Sequence, residues 1–127
     1  MRAYVFLCDE NTEAECLQRK LVGTTQVNAV WAVEIQLNDE VFLYDFHTRE
    51  LFGPFAVTST ADCHCPGAWQ GRFPVQLRFE PTALTRKAVV DASVLPLLPK
   101  GRRHSGALDG RSRDSLVGWL AQQGAQL

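Results

Sequence analysis

The stretch GAWQGRFPVQLRF, residues 67–79, carries the side chain best suited to bind a flat ligand. Trp69 lies between two glycines in a segment without periodicity, and a run that alternates like a half-buried strand follows it. Such a ring either closes the end of a hydrophobic core or stacks on a ligand. Stacking suits nucleic-acid bases, because every base has a π-face worth about 1–3 kcal/mol. The flanking glycines favour a ligand pocket lined by Trp69, and the core stays the alternative.

Two more aromatic side chains are candidates for the walls of this pocket, Trp31 and Phe46. Two rings on neighbouring walls can clamp an extruded base, and a base made cationic by methylation would add a cation–π attraction. The alternative for Trp31 is the core. It shares parity with Val33 and Ile35 in a stretch, residues 28–37, whose alternation predicts a strand.

The edge of a bound ring needs hydrogen-bonding groups, and the chain offers them just after its first apolar run. Cys8, Asp9 and Asn11 lie where a predicted strand meets a predicted helix, a corner that presents side chains and free backbone N–H groups. Asp9 can accept a hydrogen bond from an exocyclic amine. The alternative is that Asp9 or Asn11 caps the helix.

Charge is distributed unevenly along the chain. Residues 1–65 hold ten acidic and four basic side chains, whereas residues 66–127 hold four acidic and nine basic ones. A basic half suits a polyanionic partner, although solvated surface is the alternative for any run of charges. The arginines that we expect to contact phosphates are Arg72, Arg102, Arg103, Arg111 and Arg113.

Other chemistries are poorly supported. Cys63, His64 and Cys65 are metal-ligand types, but their spacing does not suit a structural zinc site, so we predict neither metal nor cofactor. Phosphate-binding glycine loops, nucleophile elbows and metalloprotease motifs are absent, and we do not expect an enzyme. Without an 18-residue apolar run or a signal peptide, we expect a cytoplasmic protein that does not engage membranes and whose cysteines need not pair.

The length of 127 residues suits one compact domain, and we predict a single domain over residues 1–127. A capping box, Thr12 with Glu15, predicts a helix start, and Gly23 predicts its end. A second helix is predicted over 114–123, with Leu116 and Leu120 inward, after an exposed excursion over 97–113. The predicted strands are residues 3–8, 28–37, 41–46, 51–57 and 73–79, with a hairpin between the third and fourth.

Three stretches, in this order, resemble the DCD (development and cell death) domain family: YVFLCDENTEAECLQRKLVGT, VFLYDFHTRELFGPFAV and AWQGRFPVQLRF. The resemblance covers roughly residues 3–80. Departures are small: Asp9-Glu10 stand where asparagines are usual, Val22 stands where Phe is usual, and Ala56-Val57 stand where Glu-Ala is usual. More distantly, AWQGRFPV and the Gly53–Phe55 step are similar to segments of YTH and EVE domains of the PUA-like superfamily.

This resemblance implies an α+β fold: a small, curved, mixed β-sheet or open barrel of the PUA-like type, flanked by short helices. In YTH and EVE relatives the pocket at one end is associated with a modified base. The implied function is a module that binds single-stranded RNA or DNA, with or without base methylation. The alternatives are a protein-interaction or stress-response adaptor and, less favoured, a small-nucleotide hydrolase.

Overall fold

Two parallel strands lie side by side in the interior of the sheet, β1 (Ala3–Cys8) and β3 (Glu40–Asp45). Both are apolar on both faces, so each face packs against its own core. The predicted strands over 3–8 and 41–46 are therefore confirmed. The structure, a computed structural model, describes residues 1–24, 29–60, 67–71, 73–99 and 106–127.

The remaining strands extend this pair into one six-stranded sheet in the order β2-β5-β4-β3-β1-β6. All neighbours other than β1 and β3 are antiparallel, and the sheet curls into a half-barrel. The predicted hairpin and the predicted α+β curved mixed sheet are both confirmed. These strands are β2 (Leu21–Thr24), β4 (Glu50–Val57), β5 (Val75–Val89) and β6 (Gly106–Leu108).

In the described part of the chain, three α-helices flank the sheet: α1 (Glu13–Arg19), α2 (Ala29–Ala32) and α3 (Gly110–Gln123). One hydrophobic cluster includes Cys16 of α1, with Trp31 of α2 packed against it, and is called the α1-side core here. The other contains the buried leucines of α3 and is called the α3-side core. Alternate residues of β1 and β3 enter the two cores, so the sheet separates them.

The predicted strand over 28–37 is wrong. The described part of this stretch begins with α2 and continues in turns, and Val33 and Leu37 are 65 % and 57 % exposed. Only Ile35 of the three apolar residues after α2 is buried. The alternation predicted a strand because Trp31 shares parity with Ile35. Trp31 lies in α2 and is instead packed against two aromatic rings of β1.

The first helix begins where predicted but is shorter than predicted. It ends at Arg19, and Lys20 adopts a left-handed conformation with φ 53°, so Gly23 falls inside β2. Thr12 precedes the helix without forming the capping box, because its hydroxyl oxygen accepts the N–H of Asp9 instead. The carboxylate of Glu15 has other partners, which matter for the site.

The C-terminal half is more regular than predicted. Strand β5 continues ten residues beyond the predicted end at Phe79, because its far half pairs with β4. The expected excursion over 97–113 contains edge strand β6 and the first turn of α3, where the Asp109 carboxylate accepts the N–H of Ser112 at 2.7 Å. Leu116 and Leu120 are buried and Gly124 follows the helix, as predicted.

Candidate ligand site at the end of the sheet

Trp69 lies in a short 3₁₀ helix (Ala68–Gly71) and packs into the α1-side core with 5 % of its surface exposed. The edge of its ring meets Phe73 at a centroid distance of 5.2 Å. The ring also lies against Gly23, where an added Cβ would come within 2.7 Å of Cζ3. Within the described part of the chain, the buried indole Nε1 forms no hydrogen bond of good geometry, and the thiol of Cys16 is its polar neighbour. The ring is thus enclosed, and its N–H has a weak sulfur acceptor beside it rather than an oxygen.

A carboxylate on α1 holds the backbone of this segment. The Trp69 N–H donates to Glu15 Oε2 at 2.9 Å, and Arg19 Nε donates to the same oxygen at 2.8 Å. Trp69 has a φ of 49°, a left-handed conformation that costs a non-glycine residue about 1–3 kcal/mol. The left-handed backbone is held in place by the hydrogen bond to Glu15 of α1 and by the packing of the ring in the α1-side core.

The other two aromatic candidates lie in different surroundings. Trp31 is half-buried, and its ring stacks on Tyr4 at 5.9 Å and tilts against Phe6 at 5.3 Å. It packs on the same core as Trp69, so the predicted pair of tryptophans shares one cluster. Phe46 is 39 % exposed and meets the ring of His47 edge-on. The assignment of these rings to a pocket stays a prediction.

The predicted edge-reading residues form the turn between β1 and α1. Asp9 Oδ1 accepts the N–H groups of Asn11 and Thr12 at 2.9 and 3.0 Å, so this oxygen serves the turn. Asn11 is exposed, whereas Cys8 is buried. Burial and the charges of nearby acidic groups raise the pKa of the Cys8 thiol well above its usual range. A protonated, enclosed thiol packs as an apolar group and is a weak hydrogen-bond partner.

A pair of carboxyl groups beside Cys8, at the end of β1 and β3, was not predicted from the sequence. Asp45 ends β3 beside Cys8, because parallel strands deliver their last residues together. The Glu13 carboxyl of α1 lies within hydrogen-bonding reach of Asp45. The only signal in the sequence was one acidic residue in an otherwise apolar strand, VFLYDF. Its partner on the helix gave no signal.

The two described arginines of the predicted phosphate contacts differ. Arg113 forms a two-pronged ion pair with Glu40, at 2.6 and 2.8 Å, and also contacts Asp114. These hydrogen bonds raise the pKa of Arg113 further and commit its guanidinium to carboxylates. Arg111, on the first turn of α3, is exposed. Helix α3 therefore offers Arg111, and not Arg113, to an anionic ligand.

Several predicted residues lie outside the described part of the chain: Arg72, Arg102, Arg103, Cys63, His64 and Cys65. Among the residues that the structure describes, no three metal-ligating side chains converge. Across these same ranges, none of the helices is long and apolar enough to cross a membrane. The two described cysteines, Cys8 and Cys16, are free thiols.

The curled mixed sheet, with one parallel strand pair and flanking helices, is the fold of solved YTH domains. The chain is similar to the crystal structure of the Mmi1 YTH domain with a TM-score of 0.75 at 12 % identity, covering 95 % of this chain and 88 % of that one. It is also similar to the Mmi1 YTH domain crystallised in complex with RNA, with a TM-score of 0.72 at 11 % identity, covering 99 % and 84 %.

The sequence model of the development and cell death domain matches residues 2–100, and the chain belongs to this family. It is 33 % identical over 94 residues to the DCD domain-containing protein NRP-A of Glycine max, and 32 % identical to the DCD domain-containing protein NRP of Arabidopsis thaliana. Each match covers 66 % of this chain. The chain spans only about a quarter of the length of these relatives, 24 % and 25 %.

Proposed function

We propose that this DCD domain binds single-stranded nucleic acid, RNA in the first place, and takes one base into a pocket at Trp69. The carrying observation is the enclosed Trp69 indole: its backbone is left-handed and held by Glu15, and its buried N–H has, among the described residues, only the weak acceptor of the Cys16 thiol beside it. Strain and unsatisfied polar groups concentrate at binding sites. The similarity to YTH domains crystallised with RNA supports the same class of ligand.

In this proposal the base replaces Phe73 as the neighbour of the Trp69 ring. Phe73 is half-buried and touches the indole by an edge, a contact worth about 0.5–1.5 kcal/mol. A base that stacks on Trp69 gains about 1–3 kcal/mol, so stacking offsets the loss of the contact with Phe73. Trp31 and Phe46 supply further walls, and Asp9 and Asn11 contact the base edge beside Cys8. Methylation of the base is the finer part of the proposal, since enclosed aromatic rings favour a methylated, cationic ring.

The phosphates are held by arginines of the basic half. Arg111 is exposed at the start of α3, and we assign Arg72, Arg102 and Arg103 to the same role from the sequence. Arg113 contributes by anchoring the helix through Glu40. Each phosphate neutralised on a single strand steepens the salt dependence by about 0.7 in logarithmic slope.

The test is the affinity for fluorescently labelled single-stranded RNA, measured by anisotropy with and without base methylation and at two salt concentrations. Trp69→Ala is expected to weaken binding about 10-fold to 100-fold, because it removes the stacking surface. Trp119→Phe is the matched control, since that tryptophan packs on the opposite core. Trp69→Phe keeps an aromatic ring and guards against loss of folding. Affinity that is unchanged in folded Trp69→Ala and Trp69→Phe overturns the base pocket.

A protein-interaction adaptor is the second candidate, and one observation favours it. Val33 and Leu37 are large apolar side chains with more than half of their surface exposed, close to α2. Exposed apolar groups suit a protein partner. Binding of this kind depends weakly on salt and survives Trp69→Ala, which separates it from the first candidate.

A hydrolase is the least supported candidate. The thiol of Cys8 is buried and its raised pKa keeps it protonated, whereas a cysteine nucleophile must be a thiolate. The same applies to Cys16, where burial raises the pKa to about 12 although the nearby indole of Trp69 lowers it in part. We therefore propose a binding role and assign no catalytic residue.

A further inference from the structure

Asp45 is a fully buried carboxyl group with one unsatisfied oxygen. Its Oδ1 accepts the backbone N–H groups of His47 and Thr48 at 2.9 and 3.1 Å. Its Oδ2 is buried too, yet no hydrogen-bond donor of the described residues satisfies it. A buried, ionised oxygen without a donor is costly. A proton on a neighbouring group would supply the missing donor.

The neighbour in position to do so is Glu13, on the first turn of α1. Two ionised carboxylates only accept hydrogen bonds, so a bond between them requires that one carries a proton. The other groups that face Glu13 are Glu50 on β4 and Lys87 on β5, and Cys8 on β1 faces Asp45. Of these, only the Lys87 ammonium favours the ionised form of Glu13.

The environment divides the roles between the two carboxyl groups. Burial, followed by the hydrogen bond with Asp45 and the charge of Glu50, raises the pKa of Glu13 to about 7. For Asp45, burial opposes ionisation, but the hydrogen bonds from Glu13, Thr48 and His47 together hold its pKa below the usual value. Glu13 is therefore the proton donor and Asp45 the acceptor.

We propose that Glu13 and Asp45 share one proton at neutral pH, and that this carboxyl clasp holds α1 against the end of the sheet and so fixes the Trp69 segment. The link to Trp69 is Glu15, two residues after Glu13, whose carboxylate accepts the Trp69 N–H. Loss of the proton sets two negative charges against each other and loosens the start of the helix. The bearing of the clasp on ligand binding rests on the proposed function.

The sign of the pH dependence follows from the two pKa shifts. Glu13 has a raised pKa in the folded state, so its contribution is complete below its ordinary value of 4.5 and is lost as the pH rises through about 7. Asp45 has a lowered pKa, so its contribution is present above its ordinary value of 3.8 and is lost as the pH falls further. Stability from the clasp is therefore greatest around pH 4 and falls toward neutrality.

The test follows the carboxyl carbon of Glu13 by NMR, together with the amide of Trp69 and the midpoint of urea unfolding, from about pH 5 to about pH 9. We expect the Glu13 carboxyl to titrate near pH 7, with the Trp69 amide shift and the urea midpoint changing over the same span. Glu13→Gln keeps a donor for Asp45 without a proton to lose, so both changes should disappear. Asp45→Asn should return the Glu13 titration toward its ordinary range.

The matched control is Glu10→Gln, an exposed acid in the turn before α1 that pairs with His47 at 3.7 Å. All variants carry His47→Gln, which removes the nearby imidazole from the pH profile. A Glu13 carboxyl that titrates near 4.5, or a Glu13→Gln protein that keeps the pH-dependent midpoint, overturns the clasp. If the Trp69 amide shift does not change while Glu13 titrates, the clasp does not fix the Trp69 segment. No nucleic acid is present, so failure of the proposed function cannot produce either result.

Discussion

The two sides of the sheet treat their polar groups differently. On the α3 side, Arg113 and Glu40 satisfy each other through two hydrogen bonds, and Asp109 caps the helix. On the α1 side, Trp69 Nε1 and Asp45 Oδ2 are buried, and within the described residues neither forms a hydrogen bond of ordinary geometry. Their polar neighbours are the Cys16 thiol and the Glu13 carboxyl. Completed pairs are typical of a structural face, whereas unsatisfied groups are typical of a face that binds.

The helices that cover the two sides of the sheet also differ. Helix α3 has 14 residues and buries two leucines, whereas α1 has seven residues and buries only Cys16. A helix as short as α1 depends on its tertiary contacts, because nucleation is costly. Single contacts therefore decide where α1 lies. The following substitutions test the difference between the two sides.

The largest effect is expected on the α3 side. Arg113→Met leaves the mostly buried Glu40 carboxylate unpaired, and we expect the free energy of unfolding to fall by about 3 kcal/mol. Urea unfolding measures it, and Arg111→Met, at an exposed position, should change stability by less than about 0.5 kcal/mol. Unchanged stability with weaker RNA binding would instead make Arg113 a phosphate ligand.

A smaller effect is expected where Trp69 meets β2. Gly23→Ala brings a Cβ within 2.7 Å of the indole and 2.9 Å of the Phe73 Cβ, so the ring must move, at a cost of about 2 kcal/mol. A shift in tryptophan emission should accompany the loss. Gly118→Ala on α3 is the control, because its Cβ meets nothing within 4 Å and alanine favours the helix. Equal effects of both substitutions would contradict the close packing at Trp69.

The smallest effect is expected at the Glu15 carboxylate, which accepts the Trp69 N–H. Glu15→Gln replaces a charged acceptor of the Trp69 N–H by a neutral one, and we expect a loss of about 1 kcal/mol in the free energy of unfolding. Glu34→Gln, an exposed acid whose ion pair with Arg2 spans 3.8 Å, should lose less than about 0.5 kcal/mol. If Glu15→Gln behaves like this control, the carboxylate does not hold the segment.

The central strands could be predicted from the sequence because burial on both faces leaves an uninterrupted apolar run. Residues 3–8 and the hairpin over 41–57 were predicted for this reason, and the family resemblance supplied the curled sheet. The structure of the stretch 28–37 was predicted wrongly, because Trp31 is buried by stacking on β1 and not by strand pairing. Periodicity reports which side chains are buried only when the element type is already known.

The contacts of the candidate site could not be predicted, because they join residues far apart in the sequence. Glu15 and Trp69 are separated by 54 positions, and Glu40 and Arg113 by 73. Glu15 was interpreted as part of a capping box and Arg113 as a phosphate ligand, since each residue type fits a local role as well. Side-chain type predicts what a group can do, but its partner depends on the folded chain.

The single parallel strand pair has a consequence for engineering. Because β1 and β3 run in the same direction, the chain must return along the length of the sheet between them, through residues 9–39. That return segment carries Asp9, Glu13 and Glu15, whereas the strands that it connects supply mainly packing. Most of the packing and these polar contacts are thus supplied by separate stretches of sequence. Libraries confined to residues 9–20 would vary the polar groups around the Trp69 segment while leaving the strand register unchanged.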